Sequence, residues 1–299
     1  MSPGPVFVTG GTGFIGRALL EHLAGSGVAL STLVRGTLDR GLPGAVIRGD
    51  LSDVSAWEDA LPEGGTVVHC AAVIGKASPR RHREINEAAT RSLIDASVRA
   101  GVRRFVFVSS VVAHFPDKRY YAYAQAKEAA EAAVRASPLD WIIARPTQVL
   151  GPGSPITGGL QRLACGPVGL RFGASRVAMQ PIHVEDTARA LAWLVTDGAA
   201  GLEVDLGGPE VVTVRALLDD LRRRAGRPSG PWITVPLAPV RTALALLEPI
   251  ALPILPLSAG QLSSFVAVNS GVARTSLPAG CPAPEYDLER MLADSIDDV

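Results

Sequence analysis

Short β-branched and aromatic runs alternate with stretches in which apolar residues return every three or four positions, and this alternation carries the first half of the chain. Val6-Phe7-Val8, Ala29 to Val34, Ala45 to Arg48, Thr66 to Cys70, Arg104 to Val108 and Asp140 to Ala144 read as strands. Phe14 to Leu23 reads as a helix after the first of them. Between the fourth and fifth strands Ile85, Ala88, Ala89, Leu93 and Ala96 fall at helical spacing and predict one buried face. The strands are apolar throughout instead of alternating, which is the pattern of a parallel sheet covered on both sides. A doubly wound α/β fold follows.

The second half is less regular. From Gly151 to Gly173 the chain carries seven glycines and three prolines, which predicts a loop-rich insertion. His183 to Leu194 reads as a helix, Leu202 to Leu206 as a strand and Leu217 to Arg224 as another helix ending near Gly226. No internal repeat is present. This half predicts a smaller C-terminal lobe over the carboxyl edge of the sheet, where ligands bind in such folds.

Composition narrows the function classes. Forty-seven per cent of the 299 residues are hydrophobic, ample for a large core and too much for a disordered chain. Twenty-nine basic residues balance 29 acidic ones, so a nucleic-acid partner bound through phosphate neutralisation is not expected. Cys70, Cys165 and Cys281 are odd in number and form no Cys-x-x-Cys pair, so neither a disulfide framework nor a metal is expected. Met1 to Pro5 leads straight into the first strand with no leader pattern, and a reduced, cytoplasmic setting is the expectation. The uncharged tract from Pro249 to Ala273 holds Pro249, Pro253 and Pro256 in its first third, which forbids the ~20-residue continuous helix of a membrane span. It reads as a greasy pocket wall or core, with surface contact with a membrane as the less favoured alternative.

Three motifs carry chemistry. Gly10, Gly13 and Gly16, with Thr12, Phe14 and Ile15 between them, lie between the first strand and the first helix. Glycine there lets the backbone turn and approach a pyrophosphate, and the helix N-terminus offers N–H groups and partial positive charge to that anion. A dinucleotide-binding unit over 1–150, rejoined by 178–208, is the reading, with 151–177 and 209–299 left to the substrate lobe. The second strand ends at Arg35, where a carboxylate suits the ribose hydroxyl of NAD and a guanidinium the phosphate of NADP. NADP is therefore the expected cofactor, with NAD the alternative. Asp50-Leu51 after the third strand suits the adenine edge, or Asp50 caps a helix starting near Asp53. Tyr123 and Lys127 stand one turn apart on a helix face. A phenol of pKa about 10 is a poor proton shuttle at neutral pH, and a nearby ammonium is expected to lower it into use. Ser109 and Ser110, at the end of the fifth strand, suit polarisation of a substrate oxygen beside that tyrosine.

The ordered set Thr9-Gly-x-x-Gly-x-x-Gly16, Asp50-Leu51, Val68-His69-Cys70-Ala71-Ala72, Asn86, Ser109-Ser110, Tyr123-x-x-x-Lys127, Arg145-Pro146 and His183-Val-Glu-Asp186 resembles the extended short-chain dehydrogenase/reductases of the NAD-dependent epimerase/dehydratase superfamily, over residues 5–225. The resemblance implies a Rossmann sheet, with Ser110 as the catalytic serine, Tyr123 as acid/base and Lys127 on the nicotinamide ribose. It implies that Ala71 and Ala72 pass under the cofactor and that Pro146 and the loop to Val149 face the nicotinamide. Asn86, His183 and Asp186 are architectural in such proteins, and a homodimer through the helices at 85–100 and 120–136 is implied too. Three departures matter. No acidic residue follows Ser110, Arg35 stands where NAD-retaining epimerases carry an acid, and only 12 residues separate Ser110 from Tyr123. Together they favour NADP-linked interconversion of a ketone and a secondary alcohol on a small, partly apolar molecule. A sugar-nucleotide epimerase holding NAD is the first alternative and a non-catalytic NADP-binding sensor or assembly protein the second. Lys76, Arg80, Arg81, His82 and Arg83 form a basic cluster that reads first as a solvated helix start and second as a contact for an anionic substrate such as the diphosphate of the epimerase alternative, and His114 and Cys165 read as structural before pocket residues.

Overall fold

Each apolar run becomes a strand because both of its faces are covered. In the computed structural model, which describes residues 4–37, 41–173, 177–227, 230–252, 254–255, 257–263 and 272–296, β1 (Val6–Thr9) turns into α1 (Phe14–Ala24), followed by β2 (Leu30–Val34), β3 (Ala45–Arg48) and β4 (Thr66–His69). A helical rod then runs through α2 (Pro79–His82), a π-type segment (Arg83–Ala88) and α3 (Ala89–Arg99) to β5 (Arg104–Val108), α4 (Ala122–Ala136) and β6 (Asp140–Pro146). Val6 and Val8 point to one side of the sheet, onto Leu19, Leu20 and Leu23 of α1. Phe7, Val67 and Phe105 point to the other, onto Leu93 and Ile94 of α3 and Val134 of α4. Alternate side chains thus feed two separate cores, and each large one buried is worth ~1.5–3 kcal/mol.

The remaining elements are β7 (Val149–Leu150), α5 (Pro155–Ala164), β8 (Gly169–Phe172), β9 (Ala178–Met179), β10 (Ile182–His183), α6 (Val184–Thr196), β11 (Leu202–Leu206), β12 (Val212–Thr213), α7 (Val214–Arg224), β13 (Trp232–Val235), α8 (Leu237–Ala251), α9 (Ala259–Ser263) and α10 (Leu288–Ile296). The main sheet has the order β11-β6-β5-β4-β1-β2-β3, all parallel. The chain leaves β1 outward through β2 to β3 and then jumps back to β4 on the other side of β1. That reversal opens a crevice at the carboxyl ends of β1 and β4.

Several expectations are corrected. The glycine-rich stretch after Gly151 is not all loop. Ser154 caps α5 by accepting from Ile156 N at 3.3 Å, and burial of Leu160 and Ala164 against Leu217, Leu218 and Leu221 offsets the helix cost of Gly158 and Gly159, about 1 kcal/mol each. No α-helix begins near Asp53; two 3₁₀ turns, Val54–Ala56 and Glu58–Ala60, stand there. The tract from Pro249 is not uniformly wall or core. Ala259, Gly260, Leu262 and Ser263 are buried, yet Ile250 and Ile254 are 89% and 85% exposed. Pro253, Pro256 and residues 264–271 of that tract lie outside the described residues. Among the described residues no helix is long and apolar enough to cross a membrane.

Candidate active site

The glycine turn is shaped by contact. Gly10 has φ +78°, and a Cβ there would meet the backbone N of Ala71 at 2.5 Å; one on Gly16 would lie 2.1 Å from the carbonyl oxygen of Gly10. The turn therefore rests on the strand-end segment carrying Ala71 and Ala72, and α1 packs directly on the turn. Gly13 caps α1 without a side-chain hydrogen bond, and no acidic residue stands in the first turn. The positive end of the helix is thus left without protein charge to neutralise it, over the crevice between β1 and β4. Thr12 is exposed and Phe14 and Ile15 are half-buried, their rings and branches against the core. These residues fit a dinucleotide pyrophosphate.

Arg35, just past β2, is 74% exposed and stands 3.8 Å from Asp50. The Asp50 carboxylate accepts from Ser52 N at 2.8 Å and Ser52 Oγ at 2.6 Å. Those two bonds hold its carboxyl below the ordinary value, with the Arg35 and Arg81 cations adding to the effect. The capping alternative thus describes Asp50 in part, except that it closes a turn instead of starting an α-helix. Two other expected cofactor residues have side chains in the core: Leu51 packs with Phe7 and Trp57, and Val149 packs with Ile182. Pro146 is buried at the end of β6.

The serine, tyrosine and lysine converge. α4 starts at Ala122, which puts Tyr123 in its first turn and Lys127 one turn on. Ser110 lies near enough to Tyr123 to act on its phenol, and its Oγ accepts from Val112 N at 3.4 Å. The Tyr123 ring meets His82 edge-on at 5.8 Å and lies 6.0 Å from the Tyr121 ring. Lys127 is buried; its ammonium donates to the Val108 carbonyl at 2.8 Å and sits 4.5 Å from the Phe107 ring centroid. Burial pulls the Lys127 value down to about 8, against the opposing pull of Cys70 and Glu131.

The expected lowering of the Tyr123 phenol by Lys127 does not occur here. Burial pushes the phenol well above its ordinary value and Tyr121 adds to the shift, while the Ser110 hydroxyl opposes it. The physical reason is orientation: the ammonium is committed to Val108 and lies 6.0 Å from the tyrosine ring centroid. Ser109 is corrected as well. Its hydroxyl donates to Glu131 Oε1 at 2.6 Å in a buried cluster, so Ser110 alone of the pair reaches the tyrosine.

Around the triad sit groups that hold it. Asn86 takes Val73 N at 2.7 Å and gives to Val73 O at 2.8 Å, fixing the segment after β4. His69 lies between Thr9 Oγ1 at 2.6 Å and Thr90 Oγ1 at 2.9 Å, and burial drives its value to about 3, so the ring is neutral. Cys70 is pushed up to about 12 by burial and stays a thiol. Asp186 accepts from Glu285 N and Tyr286 N, both at 3.0 Å, and His183 caps α6. Asn86, His183 and Asp186 are therefore architectural in this chain. His114 lies 3.5 Å from Asp205, and the Cys165 thiol points to Leu221 O at 3.7 Å. Among the described residues no group of three or more His, Cys, Asp or Glu is placed to hold a metal ion.

Glu131 escaped the reading of the sequence. It falls at i+8 from Tyr123 and i+4 from Lys127, so helical spacing alone puts it on the same face. Gly260 also escaped it: a Cβ there would sit 2.9 Å from Tyr121 Cδ2, which brings α9 against the tyrosines, and nothing in the sequence signals that contact.

The model of the NAD dependent epimerase/dehydratase family matches residues 6–207. Ceramide reductase of Caulobacter vibrioides is 38% identical over 206 residues, 67% of this chain and 63% of that protein. UDP-glucose 4-epimerase of Vibrio cholerae is 31% identical over 199 residues, 58% of this chain and 60% of that protein. The chain spans about three fifths of the length of these curated relatives. The crystal structure of gox2253 superposes with a TM-score of 0.75 at 25% identity, covering 98% of this chain and 97% of that one.

Proposed function

The chain belongs to the NAD dependent epimerase/dehydratase family, whose members include NAD(P)-dependent reductases and epimerases, and from that premise we propose that it is an NADP-dependent reductase converting a ketone on a lipid-like, partly apolar molecule to a secondary alcohol. The observation that carries this reading is the placement of Ser110 beside Tyr123 with Lys127 one turn away, at the crevice the glycine turn overlooks. NADP supplies the hydride when bound. Residues 10–16 would hold its pyrophosphate and Lys127 its nicotinamide ribose. Ser110 orients the substrate oxygen, and Tyr123 gives that oxygen a proton. A phenol is protonated at neutral pH and burial keeps it so, the form that donates in reduction. The substrate class is supported by the ceramide reductase relative and by the apolar cluster of Val112, Phe115 and Ala124 packed with Tyr121 and Tyr123.

The test is turnover of NADPH by the pure protein over a panel of long-chain ketones and steroid ketones. Reduction of a member supports the reading; NAD released from the denatured, freshly purified protein, with sugar-nucleotide epimerisation, replaces it with the reading suggested by the Vibrio relative.

Arg35 carries the cofactor preference. It stands free enough to meet a phosphate, and Arg81 acts on the same edge through Asp50. Arg35→Ala is expected to weaken NADPH binding by about tenfold, the loss of one exposed phosphate contact, and to leave NADH binding unchanged. Fluorescence titration with both nucleotides checks it; equal effects on the two make Arg35 a solvated surface residue.

Lys127 sets the alkaline limit. Its cation is present below about 8 and is lost as pH rises through that value. The pH profile of kcat/KM for reduction should therefore fall above about 8. Lys127→Arg should carry the fall to higher pH, since a guanidinium keeps its proton beyond about 12. An alkaline limb that stays in place in this variant assigns the fall to another group.

A further inference from the structure

α8 is inside out. Its two charged residues face the protein: Arg241 pairs with Asp117 at 3.3 Å and lies 5.2 Å from the Tyr120 ring, and Glu248 accepts from Ala259 N. The outward face runs through Thr242, Ala243, Leu246, Leu247 and Ile250 without a charge. Leu246 is 73% exposed and Ile250 89%, and one turn beyond the helix Ile254 is 85% exposed. Leu246 and Ile250 stand one turn apart on the helix, and Ile254 is exposed just past its end. A helix that turns its charges inward and its leucines outward places that face for an apolar surrounding.

What adjoins that face identifies the surrounding. Lys76 donates its ammonium to the Leu255 carbonyl at 2.7 Å, which fixes the segment after β4 beside Ile254. That segment carries Lys76, Arg80, Arg81 and Arg83, all exposed, with Glu84 pairing with Arg80 at 2.6 Å and standing 4.0 Å from Arg81, and Asp50 within the field of Arg81. Cations beside exposed branched apolar side chains match the two layers of an anionic membrane surface, phosphate heads over acyl chains.

We propose that the outer face of α8, with Ile254 and the cationic segment 76–83, docks this protein onto the surface of an anionic lipid bilayer. The contact lies in the interface, and the chain does not cross. Docking sets α9, joined to α8 through Glu248 and packed on Tyr121, next to the lipid. The cationic segment also borders the site, through His82 on the Tyr123 ring and Arg81 near Asp50, and binding is read without turnover.

The test is flotation of the full chain with vesicles of phosphatidylcholine plus phosphatidylglycerol, against phosphatidylcholine alone. The protein should float with the mixed vesicles, and salt should release it in part because the headgroup attraction is screened. Ile250→Glu with Ile254→Glu should reduce flotation to background. Lys76→Ala with Arg80→Ala should lower partitioning about 25-fold, at about fivefold for each surface cation. Both double variants should bind NADPH as the parent does, which separates loss of docking from misfolding. Failure of the parent chain to float, or equal flotation of the isoleucine variant, overturns the proposal. So does a parent dimer that the isoleucine variant splits while neither binds vesicles, since the apolar face then belongs to a second copy.

Discussion

Tyr123→Phe should lower turnover by about 10³-fold or more while NADPH binds as before. A positioned acid/base contributes about 10² to 10⁴ in rate, and the phenol oxygen is the single atom this change removes. The ring stays, with its edge contact to His82 at 5.8 Å and its neighbour Tyr121 at 6.0 Å, so the local packing has no reason to fail. The glycine turn and Lys127 are untouched, and the latter keeps its bond to Val108 at 2.8 Å. Steady-state NADPH oxidation gives kcat, nucleotide fluorescence gives the binding constant, and thermal unfolding shows that the variant is folded. Retained turnover in a folded, NADPH-binding variant removes Tyr123 from the chemistry and leaves a nucleotide-binding protein.

The state of the Tyr123 phenol is where sequence and structure part. Spacing placed Tyr123 and Lys127 on one face, and they are there. Spacing does not say where a flexible ammonium points. The Val108 carbonyl that captures it carries no side-chain signature, so a lowered phenol was expected and a raised one is found. The central sheet was legible because its strands are buried on both faces and their β-branched runs can serve no other role. The stretch after Gly151 was less so, because two glycines inside α5 speak against a helix that Ser154 and the core around Leu160 nevertheless hold. The outer face of α8 was illegible for a related reason: Arg241 and Glu248 imply a solvated surface until their partners, Asp117 and Ala259, are seen on the protein side of the helix. Ser109 and Ser110 were equivalent as letters and differ only through Glu131, which selects the first.

That selection rests on a buried cluster whose disruption should be the most destabilising single change among the residues discussed. Glu131, 3% exposed, takes the Ser109 hydroxyl at 2.6 Å, Arg145 Nε at 2.7 Å and Nη2 at 2.8 Å, and Arg135 at 2.8 Å. Arg145, 1% exposed, also reaches Glu203 and stands 3.6 Å from Asp205. Removing one partner of such a pair leaves a charge without its counterpart in low dielectric and costs about 3–5 kcal/mol. Glu131→Ala should therefore lower the unfolding midpoint by on the order of 10 °C in a chain of this length. Glu131→Gln keeps an acceptor for Ser109 and should lose less. Because Ser109 precedes Ser110, the alanine variant should also lower kcat at a temperature where it remains folded, with KM less affected, whereas the glutamine variant should retain most of the rate. Adding Arg145→Met to Glu131→Ala should restore part of the lost midpoint, since the stranded guanidinium is then gone. Calorimetry of the four proteins decides it. A Glu131→Ala chain that melts with the parent means that Glu203 and Asp205 satisfy Arg145 by themselves, and Glu131 then holds neither the sheet end nor its serines in place.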